Sequence, residues 1–269
     1  MRSVLWAVAV LCAGSVRAED AAKHPGQIKE LSAELATTLV AGGKGVHLPR
    51  LASLSPTAAK ALAACRGELS LDGLPELGSE AAAGLERYEG RLLSLDGISS
   101  LTPDAAGGLA KCGARPLRLN GLGELPAEVA ERLAAFKGGL ILGGLTRLDT
   151  GAAAALAARR GNVWLPKLEV LPSLGIARKV MECETEAGVI LPPIAAFTAP
   201  DSVAIARYLA ATKGPLALPH LRRISPKTLT ALIEKRDVKI PPIETLELIP
   251  EPDGSPTEDF VIPEGFQAR

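Results

Sequence analysis

Leu69-Ser70-Leu71-Asp72-Gly73-Leu74-Pro75-Glu76-Leu77 returns 24 residues later as Leu93-Ser94-Leu95-Asp96-Gly97-Ile98-Ser99-Ser100-Leu101. It returns again as Leu117-Arg118-Leu119-Asn120-Gly121-Leu122-Gly123-Glu124-Leu125. A fixed period in the twenties defines a solenoid, in which each unit buries its apolar face only by stacking on its neighbours. In the same frame, Leu-x-Leu-like triplets begin at Val46, Leu69, Leu93, Leu117, Leu140, Val163, Val189, Leu216 and Val238. Their spacings are 23, 24, 24, 23, 23, 26, 27 and 22 residues. Apolar outer positions around a variable middle one mark a short strand with one buried face. The two widest units are expected to carry their extra residues in loops.

Each strand is followed by a turn. Asp72-Gly73, Asp96-Gly97 and Asn120-Gly121 suit a turn with positive φ at the glycine, the Asx side chain bonding its own turn. The fifth unit has Gly143-Gly144. The first and the last four units place Pro49, Pro166, Pro192, Pro219 and Pro241 directly after the strand, where proline ends ladder pairing. Short helices come next. Ser55-Pro56, Thr102-Pro103 and Ser225-Pro226 put a hydroxyl at the N-cap and proline in the first turn, and Asp149 and Thr198 hold the same frame position. Alanine-rich bodies follow, and Gly67, Gly90, Gly113, Gly138, Gly161 and Gly214 fit helix C′ sites. Propensity, capping and repeat phase therefore agree.

The ends of the array read differently. Residues 1–18 have Arg2, an apolar stretch and Val16-Arg17-Ala18, the pattern of a signal peptide cleaved after Ala18. The stretch is too short to span a bilayer. Residues 19–45 form the N-terminal cap, with an amphipathic helix over 27–41 carrying Ile28, Leu31, Leu35 and Leu39 on one face. The repeats occupy 46–249, as eight units and a closing strand. Residues 250–269 are acidic and proline-rich and are expected to be extended or disordered, with Phe260-Val261-Ile262 as their one apolar cluster.

Composition limits the function classes. The chain has 30 basic and 30 acidic residues, so loss of Arg2 and Arg17 with the signal leaves a formal charge of −2. No basic tract is present, which argues against nucleic acid as a partner. Aromatic residues are only 3%, so the core must be aliphatic.

Leu-x-Leu, a turn, a further leucine and a short helix at this spacing resemble a leucine-rich-repeat array, over 46–249. The closest variety is the short, alanine-rich type of exported bacterial proteins. The resemblance implies an α/β fold: a curved solenoid with parallel strands on one face, short helices on the other, and partners bound on the sheet face. One departure stands out. The position of the family's bonding asparagine is here Leu74, Ile98 and Leu122, and Asn120 lies two residues earlier, so no asparagine ladder is expected.

The middle residue of each strand points away from the core. In order these are His47, Ser70, Ser94, Arg118, Ile141, Trp164, Ile190, Ala217 and Lys239. They should form one column with an apolar centre, Ile141-Trp164-Ile190, rimmed by Arg118 and Lys239, and those five are the candidate binding residues. Asp72, Asp96 and Asn120 stack at one repeat position but offer too few oxygens for calcium. Cys65, Cys112 and Cys183 share nearly one site in the repeat. Two units of ~8–10 Å helix spacing separate Cys65 from Cys112, too far for a disulfide, so all three read as buried hydrophobes. His24, His47 and His220 are scattered and assemble no metal site or triad. Gly42-Gly43-Lys44-Gly45 lacks phosphate-loop spacing.

The expected protein is thus exported (periplasmic, cell-surface or extracellular) and non-catalytic, with no catalytic, cofactor or metal residues. It would bind a protein or cell-envelope polymer through the sheet face, with no membrane span after signal cleavage. The rival expectation is a structural or envelope-assembly component without a discrete ligand.

Overall fold

A computed structural model describes residues 24–182, 184–185, 188–189 and 191–256. Its first half is the predicted array. Strands β1 (Val46–His47), β2 (Glu68–Ser70), β3 (Leu92–Ser94), β4 (Leu117–Arg118), β5 (Leu140–Ile141) and β6 (Val163–Trp164) form one parallel sheet in chain order. Helices alternate with them: α1 (Ala33–Ala41), α2 (Pro56–Leu62), α3 (Ser79–Gly84), α4 (Pro103–Leu109), α5 (Ala127–Ala134) and α6 (Thr150–Ala158). This is a leucine-rich-repeat-like α/β solenoid. The core is a continuous aliphatic spine in which Leu48, Leu71, Leu95, Leu119 and Leu142 recur fully buried, with Ala59, Ala82, Ala106, Ala130 and Ala153 where helices meet.

Several helix starts follow the local chemistry. Ser55, Thr102 and Asp149 accept from the backbone N–H three residues on, at 3.2, 3.3 and 2.7 Å. The cap helix starts at Ala33 rather than at 27, because Ser32 accepts from Leu35 N–H and Pro25–Gln27 forms a separate 3-10 turn. Ile28, Leu31 and Leu35 are buried as expected.

The second half departs from the simple frame. After α7 (Leu174–Met181), β7 (Glu184–Thr185) and β8 (Gly188–Val189) form an antiparallel hairpin. Val189 thus pairs with Glu184 instead of continuing the parallel sheet, because the extra residues of this wide unit fold back on themselves. The Leu-x-Leu frame resumes in β9 (Leu216–Ala217), which pairs in parallel with β11 (Val238–Lys239). A second ladder runs beside it: Val170, Ala196 and Arg223 form successive parallel bridges. β10 (Arg223–Ile224) then pairs with β12 (Glu247–Leu248).

Capping changes here too. Helix α8 (Ser202–Ala210) begins after Asp201, not Thr198, and the Asp201 carboxylate accepts from Leu174 N–H at the start of α7, 2.7 Å away. Helix α9 (Pro226–Ile233) is not capped by Ser225, whose hydroxyl bonds Thr228 at 2.8 Å. Buried Glu251 accepts from Lys227 N–H at 3.0 Å instead, so the first residues of the acidic segment pack on the last helix. The signal peptide and the Phe260-Val261-Ile262 cluster lie outside the described residues.

The turn glycines are needed for a reason other than the expected one. Among the described residues, positive φ occurs at Gly43, Gly214 and Gly254 only. At Gly97, a Cβ would lie 2.6 Å from the Leu74 carbonyl oxygen, and at Gly121 the same distance from that of Ile98. The preceding unit's backbone occupies the space that a side chain would need.

Candidate functional site

The register of β1 to β6 places His47, Ser70, Ser94, Arg118, Ile141 and Trp164 opposite one another in turn. Of the five candidate residues, Arg118, Ile141 and Trp164 therefore stand in one row on adjacent strands, ~4.8 Å apart per step. Lys239 is exposed but belongs to the separate β9–β11 pair, opposite Ala217. Ile190 lies outside the described residues.

Arg118 is not a free rim cation. Its Nε lies 2.7 Å from Asp96 Oδ2 and its Nη2 3.8 Å from Asp72 Oδ2. These carboxylates do not serve their own turns as expected. Asp72 Oδ1 accepts from Asp96 N–H at 2.9 Å, Asp96 Oδ1 from Asn120 N–H at 3.0 Å, and Asn120 Oδ1 from Gly143 N–H at 2.7 Å. A side-chain ladder crosses four units, two residues earlier in the repeat than the family's asparagine, and Asn120 is part of it. The family's asparagine position is filled by buried Leu74, Ile98 and Leu122 as expected, but the expectation that Asn120 takes no bonding role between units is corrected. Ser70 and Ser94 hydroxyls also donate to Asp72, and Ser94 is fully buried beneath the cluster. Burial alone would raise the Asp72 pKa; the bonds from Ser94, Asp96 N–H and Ser70 and the Arg118 charge outweigh it and hold the group below its ordinary 3.8. No group of three or more His, Cys, Asp or Glu suited to a metal occurs among the described residues.

The apolar part of the row is Ile141, half-buried, and Trp164, 37% exposed. Trp164 is one of two large hydrophobic side chains exposed among the described residues. It flanks a narrow cleft shared with Pro166, Val180, Leu191 and Pro192, where the parallel sheet gives way to the hairpin unit. A preformed aromatic beside aliphatics can supply contact energy without ordering cost.

One repeat position was missed. Cys65, Tyr88, Cys112, Phe136 and Arg159 stand 23 or 24 residues apart at the helix ends, and all are buried. Most of them satisfy carbonyls that the turn leaves without a helical donor. Tyr88 Oη donates to Gly67 and Leu92 carbonyls at 2.8 and 2.6 Å, and Cys112 Sγ to that of Tyr88 at 3.6 Å. Arg159 donates to the carbonyls of Phe136, Gly138 and Asn162 at 2.9, 2.7 and 2.5 Å. Burial lowers the Arg159 pKa and raises that of the Cys112 thiol. Cys65 and Cys112 are free and buried, as expected; Cys183 lies outside the described residues. A raised thiol pKa disfavours the nucleophilic thiolate.

A solved leucine-rich-repeat protein of Leptospira interrogans is similar over 89% of this chain and 82% of its own, at 16% identity and a TM-score of 0.32. No protein-family model matches the chain, and no curated protein matches it. The fold assignment stands on the strand register and the alternation of elements described above.

Proposed function

We propose that this is a non-catalytic exported repeat protein that binds a protein or cell-envelope polymer through the sheet face. The observation that carries the reading is Trp164, exposed at the end of a six-stranded sheet whose other strands hold it in a fixed row with Ile141. A rigid surface loses little conformational freedom on association, and an aromatic anchor rimmed by polar groups concentrates binding energy. Arg118 contributes as the fixed edge of this surface, already neutralised by Asp96. Export rests on the pattern of residues 1–18. No described helix is long and apolar enough to cross a membrane.

The test is crosslinking capture from the exported fraction, followed by affinity measurement with Trp164→Ala. The variant should bind at least tenfold more weakly, with its unfolding midpoint within a degree or two of wild type, because the side chain is partly exposed. Equal affinity would remove the row from the account. The rival reading, an assembly component, draws on Leu248, 47% exposed on β12 at the end of the second ladder. Concentration-dependent self-association abolished by Leu248→Lys would favour it.

A further inference from the structure

On the helix side, away from Trp164, the C-terminal ends of α4 and α5 part around an open groove of about 780 Å³. Lys111, Arg115, Arg132 and Lys137 line it, with Glu131 as the one carboxylate among its lining residues. All five side chains are exposed. Some cations near the helix ends of other units have carboxylate partners, Arg66 with Glu89 at 2.8 Å and Lys235 with Asp237 at 3.2 Å. None of the four groove cations is in an ion pair among the described residues. Two helix C-termini supply about half a negative charge each, so four cations and one carboxylate leave an excess of about +2 facing the groove.

Two adjacent glycines of α4 differ in their surroundings. Gly108 is required by packing, since a Cβ there would lie 2.9 Å from Ala82 backbone. Its neighbour Gly107 is not: the nearest group to a Cβ would be Arg132 Cδ, 4.0 Å away. A glycine inside a helix destabilises it relative to alanine, and here no packing contact demands one. Gly107 lines the groove.

We propose that this groove binds linear inorganic polyphosphate. Two guanidinium forks and two ammonium groups match closely spaced phosphates, each offering several acceptor oxygens, better than they match an isolated anion. The site is independent of the sheet-face row.

The experiment measures binding of inorganic polyphosphate to the purified protein, with inorganic phosphate and the sulfated glycan heparin as further arms. Polyphosphate should bind with a log–log salt slope of about −2 to −3, three or four neutralised phosphates at roughly 0.7 each. Arg115→Ser/Arg132→Ser should weaken it at least tenfold. Gly107→Leu should do the same while the thermal midpoint holds or rises. Trp164→Ala should bind polyphosphate as wild type does, which separates this site from the sheet-face reading. Wild-type affinity in the double arginine variant or in Gly107→Leu, or a slope near zero, would overturn the site. Equal binding of inorganic phosphate per phosphate group would overturn the polymer, and tighter binding of heparin the phosphate chemistry.

Discussion

Units two to five and units six to nine share one hydrophobic frame yet are held together differently, and the residue directly after each Leu-x-Leu triplet accounts for the difference. Along the chain that position reads Pro49, Asp72, Asp96, Asn120, Gly143, Pro166, Pro192, Pro219 and Pro241. A rung of the side-chain ladder needs an acceptor on one unit and an N–H on the next. It therefore starts at Asp72, runs through Asp96 and Asn120, and ends on Gly143, which has no side chain to extend it. Proline supplies neither group. In the later units the lateral bonding shifts to the second ladder, Val170–Ala196–Arg223–Glu247, and acids of the following unit, Asp201 and Glu251, accept from the first turns of α7 and α9, α7 keeping its local Ser173 cap as well. A repeat frame thus sets the spine, while one residue per unit selects how neighbours are fastened.

The largest expected effect that could break this contrast comes from Gly97→Ala. Its Cβ would be driven against fixed backbone of the preceding unit, and urea unfolding should show a loss of about 3 kcal/mol. Gly214→Ala, in the later half, meets no atom within 4 Å and bears only the strain of φ +81, about 1 kcal/mol. Equal losses would mean that the close approach of units is not what demands glycine in the early turns.

Next in size is Asp96→Ala, which strips Asn120 N–H of its acceptor and Arg118 of its nearer carboxylate at once and should lose about 2 kcal/mol. Asp201→Ala removes one cap bond in the later half, at about 1 kcal/mol. A larger loss at Asp201 would reverse the assignment of the early half as the more interlocked one.

The smallest effect is that of pH. Because the Asp72 pKa is depressed on folding, its contribution is complete above the unfolded value near 3.8 and disappears as pH falls through the lower folded value. Acid titration of the unfolding free energy should therefore show a drop below about pH 4 that Asp72→Asn flattens. An unchanged acid limb in that variant would place the drop elsewhere.

Much of this was legible in the residues. The Leu-x-Leu triplets located every strand of the continuous sheet, and the hydroxyl-Pro and Asp149 signals located the early helix starts, because those features act within a few residues. What escaped depends on the neighbouring unit. Asp72, Asp96 and Asn120 look like local turn formers, and only the stacking distance turns their side chains onto the next N–H. Leu168-Glu169-Val170-Leu171, Ile194-Ala195-Ala196-Phe197, Leu221-Arg222-Arg223-Ile224 and Leu246-Glu247-Leu248-Ile249 repeat an apolar pair three residues apart. That was a readable signal for the second ladder. Of the candidate row, Arg118, Ile141 and Trp164 are adjacent as their repeat positions required. The ion pairs of Arg118 were hidden, since they involve the two preceding units.

Residue-resolved native-state hydrogen exchange tests the two-scheme account most directly. Asp96, Asn120 and Gly143 N–H should exchange together with the strands of β1 to β6, as one cooperative unit more protected than β9 to β12. In Asp96→Ala, that early unit alone should lose protection. Uniform protection along the chain, or loss spread equally over both halves in the variant, would contradict it.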